Sequence, residues 1–509
     1  MTKENFNLYS RFAPSLAKRS DEELLTTADG TVWTGSEIEQ TSARIAAGLS
    51  LLGVQRGDRV SVQVAKSPEA LCLYLACLRA GFVFHPLNTA YKANELEYFF
   101  GNAEPAAVVF DSHNRSMIEP LACKAGATHL LTLDADGSSS LMQLAEKAKP
   151  DFPVVHSEAD ELATLLYSSG TTGVPKGIML THGNLLSNSE TLVEAWSFTE
   201  YDRLLHALPI FHVHGLFVAL GCVLLTGAQM RWLPALNIDQ IIEYLPECTV
   251  LMGVPTYYTR LLADERLTPE LASSIRVFIS GSAPLLAETF SEFEQRTGHR
   301  ILERYGMTET NMNTSNPLNG ARKPGTVGPP LPGVEVRIRD DQGRPAAEGE
   351  VGSVEVRGDN VFSGYWKLPE KTAEDFTDDG FFITGDQGFI DSEGYVSLVG
   401  RAKDMVISGG LNVYPKEVEL FVDTLPGVKE SAVIGSPHPD FGEGVVAIVV
   451  GEDSDALPDA RCIIDACKEA LADFKVPKAV FFVDELPRNT MGKVQKNLLR
   501  ESYADTFTG

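Results

Sequence analysis

Apolar and polar positions change rhythm twice along this chain. Residues 59–64, Arg-Val-Ser-Val-Gln-Val, alternate with a period of two, which predicts a strand. Ser67-Pro-Glu then opens an apolar run through Leu78. Serine fits the cap and proline the first turn of a helix. Residues 32–46 read as a short strand followed by a helix carrying Ile45, Ala46 and Leu49. Residues 106–110, 161–166, 249–252 and 276–279 are further buried strands. This alternation predicts a layered α/β architecture with partly parallel sheets.

Beyond Val327 the texture becomes rich in Gly, Pro and Asp, with short β runs at 334–338 and 352–357. These predict a small β-barrel-like subdomain closing the large domain. A strand at 432–434, another at 445–450 and a helix at 463–471 suffice for a separate α+β unit. The boundary falls near Lys403, giving domains 1–402 and 403–509. No internal repeat or low-complexity tract interrupts the chain.

At 509 residues the chain exceeds what one core usually organises. Its formal charge of −26 argues against nucleic acid as a partner, because phosphate backbones need basic surfaces. It leaves room for a small anion held by a local cluster of Gly and Lys. No membrane insertion is expected, since the most apolar stretch, 219–225, is too short. The amino terminus reads as lacking a signal peptide. Seven scattered cysteines without zinc spacing suggest thiols in a reducing compartment.

The densest chemistry is Tyr167-Ser-Ser-Gly-Thr-Thr-Gly-Val-Pro-Lys-Gly177, directly after a predicted strand. Gly170, Gly173 and Gly177 permit close approach of phosphate. Ser168, Ser169, Thr171 and Thr172 offer hydroxyls, and Lys176 a positive charge. The order departs from the usual P-loop, because Lys176 is followed by glycine rather than Ser or Thr. In Glu303-Arg-Tyr-Gly-Met-Thr-Glu309, Tyr305 can stack on a base and Thr308 can donate to phosphate. Glu309 can hold Mg²⁺, which prefers oxygen ligands shared with phosphate. Asp386, in Thr384-Gly-Asp386, suits a ribose diol. His212 and His214 form a polar wall or a partly buried pair more readily than a zinc site. Arg260, in Val254-Pro-Thr-Tyr-Tyr-Thr-Arg260, either pairs with a second carboxylate of a short diacid or faces outward in a salt bridge. Lys493, in a Pro/Gly-bounded loop, reads locally as a solvated charge.

Together these segments resemble the adenylate-forming superfamily of acyl-CoA synthetases, luciferases and peptide-synthetase adenylation domains, over nearly the full chain. Three longer stretches, 86–91, 206–215 and 304–315, are similar to bacterial malonyl-CoA synthetases. The resemblance implies an acyl-CoA synthetase/luciferase-like fold: an N-terminal AMP-binding domain and a mobile C-terminal domain carrying a catalytic lysine. It implies that residues 168–173 and Lys176 hold ATP, with Glu309 and Thr172 on Mg²⁺. It places Ser280, Gly281, Ser282 and Ala283 on the adenine side, with Ser280 also bordering the acid. Glu303, Arg304, Tyr305 and Thr308 contact the nucleotide, and Asp386 and Arg401 the ribose. His212 lies near the acyl pocket and thiol path, and Arg260 binds the distal carboxylate. Lys403 is the hinge, Lys493 acts in adenylation, and Ser408, Gly409 and Gly410 line the pantetheine tunnel.

The implied reaction is malonate + ATP + CoA giving malonyl-CoA, AMP and pyrophosphate through an acyl-adenylate, a ligase step of cytoplasmic fatty acid metabolism. Methylmalonate, acetate or another short acid is the nearer alternative. Delivery of the adenylate to a carrier protein, or a non-enzymatic nucleotide sensor, are the others. Lys493 is also a plausible target of a lysine acetyltransferase and deacetylase.

Overall fold

The alternating run at 59–64 forms the strand Arg59–Gln63, a central member of a seven-stranded sheet. The structure, a computed structural model, describes residues 4–136, 138–168, 175–340, 342–408, 411–439, 441–452, 458–471, 473–489 and 492–507. The chain divides into two units, Met1–Glu335 with Val356–Phe382, and Val336–Glu355 with Ile383–Gly509.

In the first unit, Ser67 caps the helix Pro68–Ala80 by accepting from the Ala70 amide, and Gly81 ends it in left-handed backbone. Nearly every side chain of this helix is buried, including Cys72 and Cys77, which accounts for its unbroken apolar run. Strand Val32–Thr34 leads into helix Gly35–Leu52 through a capping box of Thr34 and Glu37. All seven cysteines are unpaired.

Two sheets carry this unit. In the seven-stranded one, Val83–Pro86, Arg59–Gln63, Ala107–Phe110 and His129–Thr132 run parallel. Leu162–Ser168 joins them in parallel and then pairs antiparallel with Lys176–Thr181. In the eight-stranded sheet six neighbouring strands are parallel: Leu302–Met307, Val277–Ser280, Val250–Gly253, Arg203–His206, Gln229–Trp232 and Glu23–Thr27. The register pairs Ser280 with Gly253 and Glu303, and Trp232 with His206. The carboxyl ends of these strands therefore share one edge, where open α/β sheets bind ligands.

The second unit holds most of a four-stranded sheet, Val334–Arg339, Gly352–Gly358, Phe382–Ile390 and Val396–Arg401. Its other sheet is built on the long hairpin Val428–His438 and Gly442–Gly451, with Ala479–Val483 added in parallel. Side chains alternate across that hairpin. Val433, Val445, Ala447 and Val449 pack with Val418, Val422, Ile463 and Cys467 on one face. Ala432, Ile434, Val446, Ile448 and Val450 pack with Leu486 and Leu499 on the other. The helices Pro415–Val422 and Ala460–Ala470 cover the first face, and Lys496–Ser502 the second. Among the described residues no helix is long and apolar enough to cross a membrane.

Candidate active site

The strand Leu162–Ser168 delivers the phosphate-loop sequence as predicted. Ser169, Gly170, Thr171, Thr172 and Gly173 lie outside the described residues, as do Gly409 and Gly410. At the loop's two ends, Ser168 Oγ donates to Glu309 Oε1 at 3.4 Å, and Lys176 Nζ lies 3.6 Å from Asp375 and 4.2 Å from the centre of the Tyr365 ring. Gly177 is packed so closely that an added Cβ would meet Trp366 at 2.9 Å.

Glu309 and Thr308 sit in the turn between Leu302–Met307 and Asn311–Ser315. The turn is tight: a Cβ on Gly306 would meet the Asn311 carbonyl at 1.9 Å. The Phe362 amide donates to the Glu309 carbonyl at 2.8 Å, and the Glu309 side chain is buried. A buried carboxylate beside a serine hydroxyl is a set of hard oxygen donors, and it fits Mg²⁺ shared with phosphate. Tyr305 is also buried, with its hydroxyl 3.9 Å from Met307 sulfur.

The loop after Val277–Ser280 carries Gly281, Ser282 and Ala283, with Ser282 in left-handed backbone at φ 72°. Arg304, on the neighbouring strand, lies over this loop. Its guanidinium is so close to Gly281 that a Cβ there would meet Nη1 at 2.3 Å. Arg304 is 3% exposed, and among the described residues its Nε and Nη2 have no hydrogen-bond partner. Burial pushes it down to about 10. Ser280 Oγ, His212 Nε2 and His214 Nε2 are also buried without a partner among the described residues. His214 Nδ1 is 3.3 Å from Ser282 Oγ. Glu303, on the opposite face of the strand, accepts from the Leu285 amide at 3.1 Å. Arg260, by contrast, is on the exposed side of helix Pro255–Leu262, whose buried residues are Tyr257, Tyr258, Leu261 and Leu262.

Burial pushes His212 down to about 4, and His214 well below its ordinary value, with Arg304 the next cause. His182 falls to about 4 and His85 to about 3, also chiefly by burial. The folded values lie below the unfolded one, near 6.5, so the unfolded chain binds more protons in between. Stability is therefore fully present above pH 6.5 and lost as the pH falls towards 4. Urea midpoints at pH 7.5 and 5.0 check this. Equal midpoints would show that these imidazoles are not held neutral.

In the second unit, Asp386 and Arg401 are register partners joined by an ion pair of 2.6 Å. The Arg401 guanidinium also donates to the Thr384 carbonyl at 3.3 Å. Lys403 lies in the 3₁₀ turn Ala402–Asp404, and Ser408 is buried at the end of Val406–Ser408. The Lys493 loop is stapled by Asn489, whose Oδ1 accepts from the Lys493 amide at 3.0 Å and whose amide donates to the Lys493 carbonyl at 2.9 Å. Desolvation, then Arg401, holds the Lys493 ammonium below its ordinary value, although the residue is exposed. Asp386 and Asp404 act in the other direction.

Residues 12–366 match the family described as AMP-binding enzyme, and residues 417–493 match the AMP-binding enzyme C-terminal domain. The chain is similar to ATP-bound MatB from Rhodopseudomonas palustris, at 53% identity and a TM-score of 0.97, covering 99% of this chain and 100% of that one. It is 36% identical to a malonate–CoA ligase of Arabidopsis thaliana over 481 residues, 88% of this chain and 79% of the relative. It is also 35% identical to a feruloyl-CoA synthase of Amycolatopsis over 478 residues, 93% of this chain and 94% of the relative. A diacid ligase and an aromatic-acid ligase thus stand at nearly the same distance among these two relatives, so the acid must be argued from the pocket. The chain belongs to the AMP-binding enzyme family, as an adenylate-forming acyl-CoA ligase.

Proposed function

We propose that this enzyme condenses malonate with coenzyme A at the expense of ATP, releasing AMP and pyrophosphate. The observation that carries the reading is Arg304. Its buried guanidinium lies against Gly281 and acts on His214, and two of its N–H-bearing nitrogens have no partner among the described residues. A buried, unpaired cation is costly, and a carboxylate offers the planar acceptor pair that a guanidinium matches. A monocarboxylic acid uses its only carboxylate for adenylation. A diacid has a second one to place on Arg304. The similarity to the malonate–CoA ligase of Arabidopsis thaliana supports the same acid. Arg260, exposed on its helix, is less suited to the part that the family resemblance gives it.

The reaction then runs in two steps. One malonate carboxylate attacks the α-phosphate, and pyrophosphate leaves. Lys493 supplies positive charge to the transferring groups, where such preorganised charge has its largest effect. Asp386 accepts from the ribose hydroxyls, oriented by its pair with Arg401. Glu309, with Thr172 and Ser168, would hold Mg²⁺, which would neutralise phosphate charge there. The CoA thiol next attacks the malonyl-adenylate and AMP leaves, so no acyl-enzyme is needed. Residues 403–509 act as the moving domain about Lys403, with Ser408, Gly409 and Gly410 along the pantetheine path. The cytoplasm supplies ATP and CoA. Acetylation of Lys493 removes the charge used in the first step and switches it off.

AMP release with malonate, methylmalonate, succinate, acetate and octanoate at equal concentration tests the reading. Malonate is expected to lead. Methylmalonate should follow within about 10–200-fold, the range that one methyl group commands in a pocket. An acetate rate equal to that of malonate would sink the diacid assignment and leave the adenylating mechanism standing.

A further inference from the structure

One half-buried cation lies outside the machinery described above. Lys66 follows the strand Arg59–Gln63 and precedes the helix Pro68–Ala80. Its ammonium donates to the His206 carbonyl at 2.7 Å and lies 2.8 Å from His206 Nδ1. It also sits 4.3 Å from the centre of the Trp232 ring, which packs against the His206 ring at 4.9 Å. His206 and Trp232 are register partners at the carboxyl edge of the eight-stranded sheet. An ammonium has donors only, so Nδ1 of His206 is the acceptor and the ring proton is on Nε2. That Nε2 is 2.9 Å from the Gly215 carbonyl, to which it donates.

Gly215 lies in the π-helical turn His214–Ala219, a wide turn of a kind frequent at functional sites. The turn has no slack on its other side, since a Cβ on Gly215 would meet the Pro209 carbonyl at 2.1 Å. The residue before Gly215 is His214, which faces Ser282 and feels the charge of Arg304. A chain thus runs from Lys66 through His206 and Gly215 to His214 and the charge of Arg304. We propose that Lys66 and His206 are positioning residues for the acid subsite: Lys66 fixes the tautomer of His206, whose Nε2–H pins the Gly215 carbonyl and with it His214. The assignment of that subsite to the acid rests on the reading given under Proposed function. Burial holds both groups well below their ordinary pKa values, with Lys66 the second cause for His206, in keeping with a ring that stays neutral.

Two near-isosteric variants separate the parts. His206→Gln places an amide donor near the position of Nε2 and can still reach Gly215. His206→Asn places an amide oxygen near the position of Nδ1, which satisfies Lys66 but leaves Gly215 unheld. The KM for malonate is expected to rise about tenfold in His206→Asn, the effect of one lost hydrogen bond. It should be largely restored in His206→Gln, with the KM for ATP unchanged in both. Lys66→Met, which leaves His206 in place, should raise the KM for the acid in the same way and decides the matter if the Asn variant fails to fold. Equal rises in the KM for acid and ATP, or a Gln variant no better than Asn, would show that the network serves general packing and overturn the proposal. If the wild-type enzyme turns over another acid better than malonate, the same split is read on that acid. The identity of the acid and the role of this network therefore fail separately.

Discussion

Lys493→Ala is expected to lower the rate of adenylate formation by roughly 10²–10³-fold, the range for removing one preorganised charge-stabilising donor. The same variant, given ready-made malonyl-adenylate, should transfer the acyl group to CoA at close to the wild-type rate. The asymmetry follows from the chemistry. Charge builds on the α-phosphate in the first step, whereas the second expels AMP from an anhydride already formed. Local structure favours a clean result. The loop is held by backbone groups of Lys493 and by both the amide and the side chain of Asn489, so truncating the lysine side chain leaves the staple intact. Malonate-dependent exchange between pyrophosphate and ATP reads the first step, and thioester formation from the adenylate reads the second. Equal losses in the two would deny Lys493 its assigned part.

The second large effect concerns Arg304. Truncating one member of a buried charge pair costs about 2–5 kcal/mol. On that scale Arg304→Ala should reduce kcat/KM for malonate by roughly 30- to 5,000-fold. Acetate, with no second carboxylate, should lose far less, so the preference between the acids collapses. Arg260→Ala should leave the preference almost unchanged, because its side chain is on the exposed face of its helix. Competition between malonate and acetate for AMP release in the three proteins decides it. Preference lost in Arg260→Ala and kept in Arg304→Ala would reverse the two assignments.

The contrast between these arginines shows what the sequence could and could not convey. Tyr257, Tyr258, Leu261 and Leu262 recur at helical spacing and are the buried residues of Pro255–Leu262. That stripe, present in the sequence, already puts Arg260 on the exposed side of the helix. Arg304 had no such signal. It lies on a strand buried on both faces, and its surroundings come from Tyr258, Gly281 and His214, none of them near it in sequence. The Lys66–His206 contact likewise spans 140 residues. Local features were readable: the Ser67 cap, the alternation at 59–64 and the strand that leads into the phosphate loop. The hairpin Val428–His438 and Gly442–Gly451 was legible only in its apolar middle. Lys429, Glu430 and Pro437 hide its ends, because pairing rather than hydrophobicity extends those strands.

Arg304 also bears on how the protein is maintained in the cell. A buried guanidinium with two nitrogens unpartnered among the described residues is a permanent burden on the empty enzyme, since a methionine of similar length would pack there without desolvating a charge. Selection for stability alone would remove it, so its presence marks a position where turnover outweighs folding. On the proposed assignment of Arg304, the burden is lifted when a diacid binds. The substrate is then a folding ligand as well as a reactant, and the standing amount of intact enzyme should follow the supply of its acid by mass action.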